Sequence, residues 1–402
     1  MIDINLLREN PDLVKKALVK RDGDLNIDKV ISLDQKKREL LQIVEGLRAD
    51  KNKLSSGKAE DIEKAREVKN KLKLKEKELK VKEEEFDELF SLIPNIPADD
   101  VPEKVPEVIR EWDKPKDFGF KIKDHLEIGE SLDLIDVKRA AKISGSRFGI
   151  LKNQCVFLEF ALARFAMDNI LKQGFVPVIP PVLLREEMMK KMGYIDTKED
   201  LAERYFFEKD NLFLAGTSEQ MIGPMHADEI LSDLPKRYLS FSTCFREEAG
   251  SYGKDTKGIF RVHQFDKLEM FSFAKAEDSK KELEFLLSIE EELVKKLELP
   301  YRVVHLPAND MSRPSASTYD IEIWMPSQGR YRETHSVSNC TDFQARRLNI
   351  RYKKEFVHTL NGTAFAIGRM IIAILENYQQ KDGSVKMPKA LHKYLGFKVI
   401  KK

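Results

Sequence analysis

Apolar residues recur every seven positions through the first quarter of the chain. Leu33, Leu40, Leu47 and Leu54 form one series, with Val44 and Leu41 between them. After Ser55-Ser56-Gly57 a second series follows: Ala65, Leu72, Leu79, Phe86 and Ile93, with Val68 and Leu89 as companions. Heptads on two arms separated by a turn predict an antiparallel helical hairpin over residues 28–93. At about 1.5 Å per residue, arms of about 28 to 34 residues reach roughly 40–50 Å. Upstream, Asp3 and Asn10-Pro11 are positioned to open two short helices. Downstream, Pro94, Pro97, Pro102 and Pro106 end the second arm and mark a linker.

Beyond the prolines the periodicity becomes mixed. Helical stretches at Asp133–Ala141, Val156–Gln173 and Ser279–Leu297 stand among short strand-like runs. The strand-like runs are Phe175–Ile179, Leu212–Ala215, Arg237–Cys244, Arg302–Leu306 and Asp320–Met325. Strands and helices do not alternate regularly, so an α+β domain on an antiparallel sheet is expected rather than a doubly wound one. The expected division is residues 1–108 and 109–402.

Composition narrows the possibilities. A chain of 402 residues has room for two or three domains. Its formal net charge is only +2, so any nucleic-acid contact must come from a local patch. One such patch is Lys69, Lys71, Lys73, Lys75, Lys77, Lys80 and Lys82, interrupted only by Glu76 and Glu78 as acids. It reads either as the solvated face of a thin arm or as a surface for phosphate backbone. No apolar run is long enough to span a bilayer, and the N-terminus has no secretory h-region. Cys155, Cys244 and Cys340 are few and far apart, forming neither a disulfide framework nor a zinc motif. A reducing cytoplasm is the expected setting.

Chemistry is concentrated in three segments. Phe245–Phe271 runs from Arg246, Glu247 and Glu248 through a Gly-, Ser- and Lys-containing loop into Arg261–Phe271, where polar and apolar residues alternate. Two strands joined by a loop are expected, with a fixed cation beside carboxylates suited to a polyphosphate and an amine. An exposed, salt-bridged hairpin is the structural alternative. Leu360–Gln379 begins as a strand end at Asn361-Gly362-Thr363 and becomes a helix carrying Arg369. An arginine facing the sheet there needs an anion, from a nucleotide or from a salt bridge. The third segment, Phe175–Pro181, is a strand ending in prolines.

These segments resemble motifs 2, 3 and 1 of class II aminoacyl-tRNA synthetases. Together with MIDINLLRENP, the heptad hairpin, Arg139–Phe148 and Asn339–Tyr352, the resemblance extends over essentially the whole chain to the zinc-independent, bacterial-type seryl-tRNA synthetases. It implies an N-terminal antiparallel coiled-coil hairpin and a class II catalytic domain on an antiparallel sheet flanked by helices. It implies activation of serine by ATP with Mg²⁺ and no zinc, then transfer to tRNA(Ser), and to tRNA(Sec) as a second substrate. The hairpin is the expected tRNA contact and a homodimer the expected assembly.

Residue roles follow from the same resemblance. Serine is expected at Thr217, Ser218, Glu219, Arg246, Glu269, Asn361 and Thr363, with Glu219 on the amine and Glu269 near the hydroxyl. ATP is expected at Arg246, Glu247, Glu248, Val262 and Phe265, the last stacking on adenine. Glu333, Thr334, His335, Ser336 and Arg369 complete the nucleotide side, with Glu333 and Ser336 toward the metal. Arg246, Glu269 and Arg369 are the expected catalytic residues. Two departures stand out. His335 and Val337 are atypical in the Glu333–Asn339 strand, and His335 reads as a surface histidine or a donor behind the site. Ser317-Thr318 stand where the family often carries lysines. A paralogue charging a carrier protein and a non-enzymatic coiled-coil adaptor are the alternatives. The complete hairpin weighs against the first, and Arg246, Glu219, Glu269 and Arg369 against the second.

Overall fold

The computed structural model describes residues 1–54, 62–249 and 257–402. They divide into two compact units, Met1–Ile96 and Pro97–Lys402. The expected turn at Ser55–Gly57 and most of the loop between Gly250 and Gly258 lie outside the described residues. No helix among the described residues is long and apolar enough to cross a membrane.

The first unit starts with two short helices, Ile4–Glu9 and Pro11–Lys20, capped by the side chains of Asp3 and Asn10. The long pair α1 (Ile27–Leu54) and α2 (Ile62–Ser91) follows. Leu40, Val44, Leu72 and Leu79 form its buried seam, with Leu47 packed against them. Leu33 and Phe86 are also buried. Leu41, expected among the apolar companions, instead faces solvent, because it lies one position past the seam. Lys37 occupies the half-heptad position between Leu33 and Leu40, and its ammonium sits 4.1 Å from the Phe86 ring centroid. In the lysine-rich stretch, Lys75 and Lys82 pair with Glu78 and Glu85 at 2.7 Å each. Lys69, Lys71, Lys73, Lys77 and Lys80 are exposed.

The second unit is built on eight strands: β1 (Glu107–Trp112), β2 (Val176–Val178), β3 (Lys236–Phe245), β4 (Gln264–Ala274), β5 (Tyr301–His305), β6 (Ser317–Met325), β7 (Arg330–Asn339) and β8 (His358–Ala366). Their spatial order is β1-β5-β6-β7-β8-β4-β3-β2. Every neighbouring pair is antiparallel except β2 with β3. The main helices are α3 (Gln154–Ile170), α4 (Ser279–Lys296), α5 (Phe343–Leu348) and α6 (Ile367–Asn377). Leu158 and Leu162 of α3, Leu286 and Leu287 of α4, and Ile371 and Ile374 of α6 share one core with Leu268, Met270, Ile321 and Val337 of the sheet. Strand alternation then turns Lys267, Glu269, Asp320 and Ser336 to the opposite face.

Three expectations shift. The boundary expected after residue 108 lies inside the second unit, because β1 pairs with β5 in the main sheet. The helix expected at Asp133–Ala141 spans Val137–Ser144, because Asp136 accepts a hydrogen bond from the Arg139 N–H at 2.8 Å and caps it there. Leu212–Leu214 belongs to a separate three-stranded sheet with Leu183–Arg185 and Phe206–Phe207.

Candidate active site

The face of the sheet opposite α3, α4 and α6 carries a cavity of about 530 Å³, within the size range of small-molecule sites. β3 and β4 form the expected hairpin, with Phe245 opposite Gln264. The Arg246 backbone N–H donates to the His263 carbonyl at 2.9 Å, continuing the pairing past the strand end. The Arg246 guanidinium therefore leaves from a fixed backbone. Its Nε donates to the Gly216 carbonyl at 3.2 Å, and its Cζ lies 5.4 Å from the Phe265 ring centroid.

One group of polar side chains surrounds Glu219 and Glu269. Both are buried. Glu219 accepts from the Tyr194 hydroxyl at 2.6 Å and from Gln344 Nε2 at 2.8 Å. Lys267 ion-pairs with Glu269 and donates to Thr217 Oγ1 at 2.9 Å. The Thr363 hydroxyl donates to Glu269 Oε2 at 3.3 Å. Burial holds the Glu219 carboxyl above its ordinary value; Tyr194 and Gln344 oppose that rise, Glu269 adds to it, and Lys267 opposes it.

A second group carries the arginines. Arg369 Nη1 lies 3.1 Å from Glu333 Oε1, and its Cζ sits 4.9 Å from the Phe260 ring centroid. Arg261 pairs with Glu248 at 2.6 Å. Partial burial raises the Glu333 carboxyl, but Arg369, Arg246 and Arg261 outweigh it and hold it below the ordinary value. Asp320, opposite Ser336 on β6, moves the other way: burial, then Glu333, push it well up. Its Oδ1 is buried without a hydrogen-bond partner. A β-bulge between Ile321 and Glu322 shifts the register at Thr334, so Glu333, Thr334 and Ser336 all border the cavity. Among the described residues no three His, Cys, Asp or Glu side chains gather as a metal-ligand cluster.

Of the expected site residues, Thr217, Glu219, Arg246, Glu248, Val262, Phe265, Glu269, Glu333, Thr334, Ser336, Asn361, Thr363 and Arg369 line this cavity. Ser218, Glu247 and His335 do not line it. Ser218 is fully buried beside the start of the Glu219–Ile222 helix, with its Oγ unpartnered. Glu247 is drawn aside, its backbone N–H donating to the Glu203 carbonyl at 3.3 Å. His335 is not a surface histidine. It is buried on the helix side of the sheet, 5.7 Å from the Phe365 ring and 2.7 Å from Thr334 Oγ1, and burial drives its pKa down to about 3. Alternation along β7 explains this, since Ser336 and Ser338 take the cavity side and His335 and Val337 the core.

At the second departure, Thr318 lines the cavity and shares a 2.9 Å hydrogen bond with Ser338, while Ser317 lies 3.2 Å from His305 Nε2. Sequence reasoning missed Lys267, Asp320, Tyr194 and Gln344. Lys267 had a signal, because it alternates with Phe265 and Glu269 along β4. Tyr194 and Gln344 had none, because only tertiary packing brings them to Glu219.

Comparison with known proteins follows the same division of the chain. Residues 1–97 match the family model of the seryl-tRNA synthetase N-terminal domain, and residues 205–378 that of the tRNA synthetase class II core domain (G, H, P, S and T). The chain is 44% identical to the serine–tRNA ligase of Dictyoglomus turgidum, covering 100% of this chain and 99% of that protein. It superimposes on seryl-tRNA synthetase from Pyrococcus horikoshii, solved in complex with ATP, with a TM-score of 0.92 at 41% identity, covering 100% and 99% of the two chains. The cytoplasmic serine–tRNA ligase of Naegleria fowleri, in complex with AMP, gives 0.90 at 32% identity, again covering 100% and 99%.

Proposed function

The chain belongs to the seryl-tRNA synthetase family, and from that premise we propose how its cavity performs the family's reaction. The enzyme activates serine with ATP and transfers the seryl group to tRNA. The observation that carries the reading of the site is the pairing, in one cavity, of a buried carboxylate group around Glu219 and Glu269 with an arginine group around Glu333.

Activation requires the serine carboxylate to attack the α-phosphorus of ATP and displace pyrophosphate. Two anions must meet, so fixed cations have to offset their repulsion and the charge that develops. Arg246 bridges the α-phosphate and the substrate carboxylate. Phe265 stacks on adenine and Arg369 takes the nucleotide phosphates. Glu219 receives the substrate ammonium. Glu269, with Lys267 and Thr363, receives the hydroxyl, so alanine would leave buried polar groups unpaired. No side-chain nucleophile is needed.

Glu333 and Ser336, with the unpartnered Asp320 Oδ1 beside them, are the residues that would hold Mg²⁺. When bound it supplies charge neutralisation along the polyphosphate. The exposed lysines of α2 suit the backbone of tRNA(Ser). Phe157 and Phe160 of α3 are 62% and 65% exposed, and Val176 and Ile179 are 53% and 80% exposed. That apolar surface supports a homodimer, in which a second copy covers it. A cytoplasmic location fits the chemistry.

Serine-dependent exchange of labelled pyrophosphate into ATP tests the site. Exchange with serine well above alanine and threonine is expected. Exchange driven better by another amino acid would overturn the specificity assignment. Deleting Lys51–Lys82 should leave exchange intact and abolish tRNA charging; charging that survives would remove the hairpin's role.

A further inference from the structure

Glu219 reaches the cavity with both carboxylate oxygens already held from behind. Tyr194 donates to Oε2 at 2.6 Å, and Gln344 Nε2 donates to Oε1 at 2.8 Å. The two donors come from different elements, and each is itself fixed. The helix Glu186–Met192 ends at Gly193 in the left-handed region, φ 84°. There the Gly193 N–H donates to the Lys190 carbonyl and the Tyr194 N–H to the Met189 carbonyl, which locks the turn. A Cβ at Gly193 would lie 3.2 Å from Phe343 of α5, so a side chain there would be crowded as well as strained. Gln344 is oriented by Thr359 of β8, whose hydroxyl donates to its Oε1 at 2.7 Å. That bond leaves Nε2, and not the oxygen, facing Glu219.

We propose that Tyr194 and Gln344 are positioning residues for serine, which together aim the Glu219 carboxylate at the substrate ammonium. The proposal rests on the reading of Glu219 as the ammonium partner. A carboxylate offers about four lone-pair directions, and one on each oxygen is taken from the protein side. The remaining pair faces the cavity, at a spacing that suits an ammonium donor.

Electrostatics gives the donors a second task. Glu219 is buried beside another carboxylate, Glu269, and Lys267 of β4 sets a positive charge against it. Arg204 lies across the Tyr194 ring at 5.6 Å. Burial raises the Glu219 carboxyl, and the hydrogen bonds from Tyr194 and Gln344 oppose that rise, so losing either makes the acid easier to protonate. Tyr194 stays a proton donor, because burial and then Glu219 raise its own pKa well above the ordinary value.

The test is steady-state pyrophosphate exchange by the full chain, varying serine and ATP separately from pH 6 to 9, in Tyr194→Phe, Gln344→Met and Glu219→Gln. Either donor variant is expected to raise KM for serine about 10- to 100-fold, with KM for ATP within about threefold. The acid limb of kcat/KM for serine should move to higher pH in both, because each lost hydrogen bond makes Glu219 easier to protonate. An unchanged KM for serine overturns the proposal. So does a parallel rise in both KM values with no movement of the acid limb, the mark of a merely structural role. Glu219→Gln separates the two readings. If that variant keeps its serine KM, the assignment of Glu219 itself fails. Thermal melts accompany each variant. If one donor variant does not fold, the other decides; if neither folds, the network is structural and the proposal falls.

Discussion

Replacing Lys267 by methionine removes one charge and keeps most of the side chain's length and apolar stem. Lys267 is 5% exposed and Glu269 2%. In the native chain the ammonium pairs with Glu269 and donates to Thr217 Oγ1 at 2.9 Å. In Lys267→Met, Glu269 keeps only the Thr363 hydroxyl at 3.3 Å. Breaking a buried ion pair by removing one partner costs about 3–5 kcal/mol, because the remaining charge stays desolvated. The pair borders a water-accessible cavity, so the cost falls to or just below the bottom of that range, about 2–3 kcal/mol. Lys267→Met/Glu269→Gln removes both charges and should recover more than half of that loss. Urea unfolding at pH 7 measures all three proteins. With m near 2–3 kcal/mol/M, the single variant should unfold about 1 M earlier than the native chain. A single variant within about 0.5 kcal/mol of native, or a double variant no more stable than the single, would refute the view that the buried Lys267–Glu269 pair cannot lose one partner without cost.

Three further outcomes are expected. Burial and then Asp266 push the Glu159 carboxyl of α3 up to about 8 from 4.5; a raised acid contributes stability below the lower value that is lost as pH rises through the upper one. Glu159→Gln should therefore match the native Tm near pH 4.5 and exceed it increasingly toward pH 8.5, whereas parallel Tm–pH curves would contradict the assignment. Arg246→Ala should lower pyrophosphate exchange about 10²–10³-fold with little change in Tm; a variant that exchanges normally would contradict the role proposed for Arg246. Gly258 has φ 71°, and a Cβ there would lie 1.9 Å from His125 Nε2, which accepts the Ile259 N–H at 3.3 Å. Gly258→Ala should cost about 2–4 kcal/mol in thermal or urea unfolding from backbone strain and the displaced histidine, and an unchanged midpoint would show that the ring has room to move.

The hairpin was legible because a heptad seam needs only local spacing, and Leu40, Val44, Leu72 and Leu79 pack as that spacing requires. Lys37 escaped notice because a lysine can occupy a seam position by laying its stem along an aromatic ring. β1 was illegible for a different reason. Five of its six residues are exposed, so it carries no apolar alternation, and only pairing with β5 makes it a strand. Most of the cavity was legible because contiguous segments carry it. His335 was misread because its polarity was weighed and its place in the alternation of β7 was not. Asp320, Tyr194 and Gln344 lie in three separate segments, and their convergence is a property of the sheet order and of two helix ends.

The distribution of charge around the cavity does more than attract substrates. Serine is a zwitterion at neutral pH, and the cavity is itself polarised: Glu219 and Glu269 are buried together, while Arg246, Arg261 and Arg369 share the field around Glu333. A serine with its ammonium at Glu219 and its carboxylate at Arg246 has favourable charge pairs at both ends. The reversed molecule meets like charge at both ends, and at an effective dielectric constant near 20 each such contact at about 4 Å costs roughly 4 kcal/mol. Orientation is thus imposed before chemistry, and it directs the nucleophilic carboxylate toward Arg246, the arginine proposed to receive the α-phosphate. Lys267 limits the opposite danger. Two buried carboxylates with no cation between them would repel each other, and Lys267 sets its ammonium against both. The pairing of Lys267 with Glu269, and the two hydrogen bonds to Glu219, are in this sense parts of one device. They offset the burial and mutual repulsion of two neighbouring acids, so that substrate polarity can be read.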